Sequence, residues 1–102
     1  MLIQVPQPSI PGEKVVLVDY VNDQLVSRDC LYASVTAPFL TYIEVEVDGV
    51  IIDGVWIAPG SSHSWWTQAG GKLLGRHGLA PGERLIVRAT GQCAFRLDWT
   101  DE

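Results

Sequence analysis

The chain has 102 residues, of which 47% are hydrophobic and 19% charged, and its net charge is −5 at pH 7. This length fits one domain, and its 7 Lys and Arg residues form no basic run, so nucleic-acid binding through phosphate contacts is excluded. A chain this apolar either fills a sandwich with two inner faces or leaves apolar surface for a partner to cover.

The N-terminal residues predict an extended arm before the globular domain. Residues 1–12 form this proline-rich arm in our prediction, and residues 13–102 form a single sandwich domain. Residues 2–5 are strand-like, but three prolines between positions 6 and 11 remove amide donors and favour polyproline geometry. The start lacks the features of a secretory signal, and no stretch is long enough to span a bilayer. We therefore expect synthesis in a reducing cytosol and no membrane partner.

The sequence of the first half of the domain predicts strands separated by turns. Over residues 14–21, apolar residues occupy both odd and even positions, which is typical of a strand covered on both faces. Residues 24–27 predict a short edge strand. Residues 30–36 predict another strand, which Pro38 ends.

The clearest hairpin pattern lies in the middle of the chain. Residues 42–48 alternate aliphatic residues with glutamates, which indicates a half-buried strand. Asp48-Gly49 separates this run from the next apolar run and is a strong hairpin signal. Asp53-Gly54 follows too soon to end the second strand, so it predicts a bulge or kink before residues 55–57.

An aromatic segment follows the Pro59-Gly60 turn. Adjacent Trp65 and Trp66 point to opposite faces of a strand, so one can enter the core while the other lies outside, unless the segment is irregular. An outward tryptophan could be half covered by the glycine-rich loop 70–78, anchor a protein interface, or stack on a sugar ring. The interface hypothesis uses the polar and aromatic side chains of this segment and loop: His63, Trp65, Trp66, Arg76 and His77.

The last strands complete an all-β prediction. A second Pro-Gly turn at residues 81–82 precedes strands over 84–90 and 93–99. We predict an antiparallel β-sandwich or jelly-roll-like fold of seven to nine short strands without a long helix. The expected core comprises Ile43, Val45, Val47, Leu85, Val87, Phe95 and Leu97. Cys30 and Cys93 are expected to be buried thiols rather than a disulfide.

No residue pattern in the chain carries a catalytic or metal site. The nucleophile-elbow and P-loop motifs are absent, and serines beside His63 on one strand do not build a triad. The separations of the cysteines and histidines match no zinc-ligand spacing. Glu44 and Glu46 are explained by a solvated strand face. We therefore expect a protein that is not an enzyme, with no catalytic residues, no cofactor and no metal.

Turn and strand motifs over roughly residues 40–100 resemble a known group of proteins. The motifs are Tyr-Ile-Glu-Val-Glu-Val-Asp-Gly-Val, then Ala-Pro-Gly-Ser-Ser, then Ala-Pro-Gly-Glu-Arg-Leu-Ile-Val-Arg-Ala-Thr-Gly, ending Phe-Arg-Leu-Asp-Trp. Their order resembles small β-sandwich structural proteins of tailed bacteriophages, which include capsid decoration (cement) proteins and tail accessory proteins. The resemblance implies a virion component, made in the host cytoplasm, that forms homo-oligomers and docks on a larger capsid or tail assembly. The alternative is a carbohydrate-binding, lectin-like module that uses Trp65 or Trp66.

Overall fold

Eight antiparallel strands form the described part of the chain. The computed structural model describes residues 2–5, 13–66 and 78–100. The strands are β1 (Leu2–Val5), β2 (Val15–Val21), β3 (Cys30–Ala37), β4 (Thr41–Val47), β5 (Val50–Ile57), β6 (Ser61–Trp66), β7 (Arg84–Ala89) and β8 (Cys93–Trp99). The described residues include no helix. The all-β prediction is confirmed, and the strand number lies within the predicted range.

The strands form two four-stranded sheets, ordered β1-β8-β3-β6 and β2-β7-β4-β5. The first strand pairs with the last, the second with the seventh, the third with the sixth and the fourth with the fifth. The chain is therefore one long antiparallel ribbon that is wrapped so that β3 also pairs with β8, and β4 with β7. This connectivity is the eight-stranded jelly roll.

The predicted hairpin lies at the tip of this ribbon. Asp48 and Gly49 join β4 to β5 with positive φ angles of 49° and 82°, as a two-residue turn of the mirror-image type requires. The predicted bulge is also present, because Val45 pairs with Asp53 while Glu46 pairs with Ile51. Ile52 is thus the extra residue of β5.

Both described Pro-Gly turns have the predicted geometry. Gly60 and Gly82 have φ angles of 73° and 85°. Each turn is closed by a backbone hydrogen bond, from Ser61 N–H to the Ala58 carbonyl at 2.9 Å and from Glu83 N–H to the Ala80 carbonyl at 3.0 Å. Proline followed by a glycine with positive φ is the pattern of a type II turn.

The core lies between the two sheets and follows the predicted parity. Six of the seven expected core residues are buried, and Val47 is partly buried against them. Phe95 is the largest fully buried side chain. Trp99, which shares the strand face of Phe95 and Leu97, also belongs to this core, and so do Trp65 and Leu79.

The two cysteines are free and buried, as expected. Cys30 pairs with Trp99, which lies six residues along β8 from Cys93. At about 3.3 Å per residue this separation is about 20 Å, far beyond the reach of a disulfide. Burial raises the pKa of the Cys30 thiol to about 12 and also raises the pKa of Cys93.

Two expectations for the first half of the chain need correction. Residues 24–27 form bends rather than an edge strand, because the buried Asn22 side chain organises them as a turn. Its amide donates to the carbonyls of Val26 at 3.0 Å and Leu79 at 2.8 Å, and its Oδ1 accepts from Gln24 N–H at 3.0 Å. Strand β2, predicted to be covered on both faces, lies at the edge of its sheet, and its Val16 and Val21 are about half exposed. Residues 2–5, predicted as a short strand or arm, form a strand that pairs with β8. The proline-rich remainder of the arm lies outside the described residues.

Candidate functional site

Trp65 belongs to the core and does not supply an outward indole. Its side chain is 3% exposed, and its ring centroid lies 6.4 Å from that of Phe95. The indole Nε1–H donates to the Asp53 carboxylate at 2.8 Å. Because Asp53 lies on β5 and Trp65 on β6, this hydrogen bond joins the adjacent edges of the two sheets. Trp65 therefore has a structural role in this conformation.

His63 accompanies Trp65, two residues earlier on β6. Its ring is half-buried and packs edge-on against the Trp65 indole, with centroids 4.6 Å apart. The backbone of Trp66 pairs with Tyr32, and the side chain of Trp66 lies outside the described part of the structure. Arg76 and His77 also lie outside the described residues. Of the five predicted interface residues, the structure thus brings His63 and Trp65 together, at the margin of the core.

The exposed indole that the structure describes belongs to Trp56. It is 64% exposed and pairs with Tyr42 across β4 and β5, with ring centroids 5.0 Å apart at a tilt of 47°. Gly54 makes room for this aromatic pair, because a Cβ at that position would overlap the Tyr42 hydroxyl. The glycine thus allows the phenol ring to lie across the strand, where it supports one side of the indole.

The bulge at Ile52 decides that Trp56 faces outward. If all residues of β5 kept the register set by the Asp48-Gly49 turn, Trp56 would lie opposite Thr41, whose side chain is buried. The bulge shifts the register by one, so Trp56 lies opposite Tyr42 on the outer face. A one-residue shift exchanges the two faces of a strand. The predicted interface did not include Trp56, although it belongs to the same aromatic cluster of the sequence and the bulge determines its orientation.

Strand β5 forms an exposed apolar edge. Among the described strands it pairs only with β4, and Val50, Ile51 and Ile52 are exposed together with Trp56. We call these four residues the β5 edge. Natural edge strands are usually protected by charged side chains, proline, β-bulges or inward-pointing charges, and β5 has a bulge at Ile52. In β5 the only charged residue is Asp53, and its carboxylate accepts hydrogen bonds from Trp65 Nε1–H and from Gly54 N–H at 2.9 Å.

Ion pairs lie on the outer face of the other strands of this sheet, although Val16 and Val21 on β2 are about half exposed. Arg88 on β7 contacts Glu46 at 3.0 Å and Glu44 at 3.2 Å, and Lys14 reaches Glu44 at 2.9 Å. The hydrogen bond from Lys14 and the nearby Arg88 hold the pKa of Glu44 below its usual value, although burial acts in the opposite direction. Strand β7 carries a further ion pair with β2, between Arg84 and Asp19 at 2.6 Å. The outer face thus carries an ion-pair ladder on β7 and β4, one ion pair beside exposed valines on β2, and an apolar edge on β5.

The outer face of the other sheet is polar rather than apolar. Ser34 pairs with Ser64 and Thr36 with Ser62 across β3 and β6. Hydrogen bonds with the Ser34 and Ser64 hydroxyls hold the pKa of Tyr32 below its usual value.

Two other groups of exposed apolar side chains lie in loops. Leu25 and Val26 form the tip of the loop between β2 and β3, where Leu25 is 97% exposed. Phe39 and Leu40 lie in the turn before β4. Isolated exposed apolar residues of this kind are normal on protein surfaces, whereas the β5 edge adds an open strand backbone to its apolar side chains.

Within residues 13–66 and 78–100, no group of three or more histidine, cysteine, aspartate or glutamate side chains is placed to hold a metal ion. No helix long and apolar enough to cross a membrane occurs among the described residues. The chain matches no protein-family model, and no curated protein matches it in sequence.

Proposed function

We propose that this protein is a non-enzymatic structural component that binds other protein chains, both its own copies and a larger assembly. The observation that carries this proposal is the β5 edge, where an exposed indole and three exposed aliphatic side chains border an open strand. Open strand edges bind further chains through backbone hydrogen bonds, and side chains on the strand supply specificity.

Trp56 is suited to anchor such a contact. Tryptophan is enriched among the residues that dominate interface energies. With 64% of its surface exposed, covering the indole would remove roughly 130 Å² from water, which corresponds to about 3 kcal/mol before the entropic costs of association. Its stacking on Tyr42 limits the freedom of the indole, so less entropy is lost when a partner covers it.

The resemblance to structural proteins of tailed bacteriophages suggests the kind of assembly. In this proposal the protein is a virion component, a capsid decoration or cement protein, that self-associates and docks on a capsid or tail. The jelly roll supports this assignment at the level of architecture, since capsid proteins use it, but lectins use it too. The surroundings of Trp56 favour a protein partner. Its neighbours on β5 are mainly aliphatic, and the Asp53 carboxylate is already engaged by Trp65 and Gly54.

The experiment compares Trp56→Ala with the wild type by sedimentation equilibrium over a range of concentrations. The matched control is Leu25→Ala, which removes a more exposed apolar side chain from a loop. We expect Trp56→Ala to weaken self-association by at least about 2 kcal/mol, roughly thirtyfold, while the monomer stays folded and the control behaves like the wild type.

A glycan array tests the carbohydrate alternative on the same proteins. Micromolar binding of a sugar that is lost in Trp56→Ala would replace the proposal with a lectin-like function. Association of Trp56→Ala at the wild-type level would also contradict the proposal.

A further inference from the structure

We propose that the β5 edge of one copy pairs with the β5 edge of a second copy, antiparallel and about a two-fold axis. The two β2-β7-β4-β5 sheets would then join into one continuous eight-stranded sheet. This inference rests on the proposed function, because it specifies the partner and geometry of the same surface.

The backbone of β5 is arranged to receive another strand. Val47 and Val50 flank the two-residue turn, so hydrogen bonding to β4 alternates from that pair onward. This alternation directs the N–H and C=O groups of Ile51, before the bulge, and of Trp56, after it, away from β4 and toward the open edge. Gly54 N–H also points away from β4, and it donates to the Asp53 carboxylate. The edge therefore offers the backbone groups of Ile51 and Trp56 to a partner, while the N–H of Gly54 between them is already hydrogen-bonded.

The distribution of charge allows a second copy to bind at this edge. Two chains of net charge −5 repel each other unless their contact surfaces are neutral. Near the β5 edge, Glu44 and Glu46 are paired with Lys14 and Arg88. The carboxylate of Asp48 accepts a hydrogen bond from Arg84 N–H, and Asp53 is turned toward Trp65. At the opposite edge of the sheet, Asp19 of β2 is likewise paired, with Arg84. Two β5 edges can therefore meet without bringing unpaired like charges together.

The size of the contact predicts a weak, reversible dimer. A strand of eight residues is about 26 Å long. Pairing along this length, with the indole and aliphatic side chains covered, buries several hundred Å² per copy, the lower range for specific interfaces. In a two-fold symmetric dimer both copies contribute the same four edge residues, so the apolar contact contains each of them twice. We expect a dissociation constant in the micromolar range rather than the nanomolar range.

The first test introduces a lysine at the edge. Ile51→Lys places a charge beside outward-pointing backbone groups, and Leu25→Lys adds the same charge to an exposed loop position. Each variant brings the net charge of −5 closer to zero, so general repulsion between copies decreases in both. We expect sedimentation equilibrium to show at least tenfold weaker association for Ile51→Lys and no loss for Leu25→Lys.

The second test measures the pairing geometry by pulsed electron resonance between spin labels in the dimer. Labels are attached at Val50→Cys in one sample and at Ala58→Cys in another, while the native cysteines are buried and have raised pKa values. Positions 50 and 58 are about 26 Å apart along the strand. In antiparallel pairing, a shift of the two-fold axis along the strand lengthens the label-to-label distance at one position and shortens it at the other by the same amount. While the axis lies between the two positions, the distance measured in the first sample and the distance measured in the second therefore add to about 50 Å. Parallel pairing would bring both distances to about 5 Å.

The outcomes separate this inference from the proposed function. Weaker association of Ile51→Lys together with a distance sum of about 50 Å supports β5 pairing. Two results would overturn β5 pairing and leave protein binding through Trp56 intact. The first is association that depends on Trp56 but persists in Ile51→Lys, and the second is a pair of distances that do not give this sum. A wild type that stays monomeric at millimolar concentration overturns the pairing and also removes self-association from the proposed function.

Discussion

Replacement of Phe95 by alanine tests whether the inner parity of β8 forms the core. Phe95 is fully buried, lies between Ile3 and Val35 in the sheet register, and its ring lies near that of Trp65. Because sheets on either side hold the surrounding backbone in place, the site can collapse only in part. We therefore expect Phe95→Ala to lower the free energy of unfolding by about 3–5 kcal/mol. Small domains have about 5–15 kcal/mol in total, so this loss would leave the variant marginal.

The chain contains a matched control, because its only other phenylalanine is exposed. Phe39 lies in the turn before β4, so Phe39→Ala should cost less than about 1 kcal/mol. Urea titration followed by tryptophan fluorescence measures both variants, in an Ile51→Lys background so that dissociation does not contribute. With a slope of about 1.5 kcal/mol per molar urea, the Phe95→Ala midpoint should fall by about 2–3 M. A loss below 1 kcal/mol for Phe95→Ala, or equal losses for the two variants, would refute the assignment of the core.

Three further predictions concern buried thiols, a buried hydrogen bond and an ion pair. Since burial raises the pKa of Cys30 to about 12, iodoacetamide at pH 8 should leave the thiols of the folded protein unmodified and should add two groups after denaturation. An intact mass without added groups after denaturation would indicate a disulfide. Trp65→Phe removes the hydrogen bond to the Asp53 carboxylate and should cost about 1.5–3 kcal/mol in urea titration, whereas an unchanged midpoint would show that water replaces the indole. Lys14 and Arg88 hold the pKa of Glu44 below its ordinary value of 4.5 in the folded protein. The ion pair therefore stabilises the fold above pH 4.5, and this stabilisation should disappear as the pH falls through the lowered pKa of the folded state. Glu44→Gln should therefore make stability less dependent on pH between pH 5 and pH 2, and an acid-unfolding curve identical to that of the wild type would contradict this reasoning.

Local chemistry made the turns and the core parity predictable. Asp48-Gly49 and the Pro-Gly pairs at 59–60 and 81–82 adopt the predicted turns because the positive φ angles they contain strongly favour glycine or asparagine and aspartate. Alternation in β4, β7 and β8 predicted the inner faces, because successive side chains of a strand point to opposite sides. These features depend on residues within a few positions of one another.

Long-range contacts explain where the sequence prediction was wrong or incomplete. Residues 24–27 looked like a strand, but Asn22 bonds to the carbonyl of Leu79, which is 57 positions away, and organises them as a turn. Residues 2–5 became a sheet strand because β8 supplies a partner at the other end of the chain. Neither partner is visible in the local pattern, so local reasoning could not identify either contact.

The amino-acid sequence by itself determined that this protein is an antiparallel all-β sandwich, where its described turns lie and which faces of its main strands are apolar. The tertiary structure alone decided how eight strands pair as one wrapped ribbon, because pairing between distant strands depends on the packing of whole sheets. It also decided that Trp65 is buried and Trp56 exposed. The orientation of Trp56 depends on one extra residue, Ile52, because a shift of one position in register exchanges the two faces of a strand.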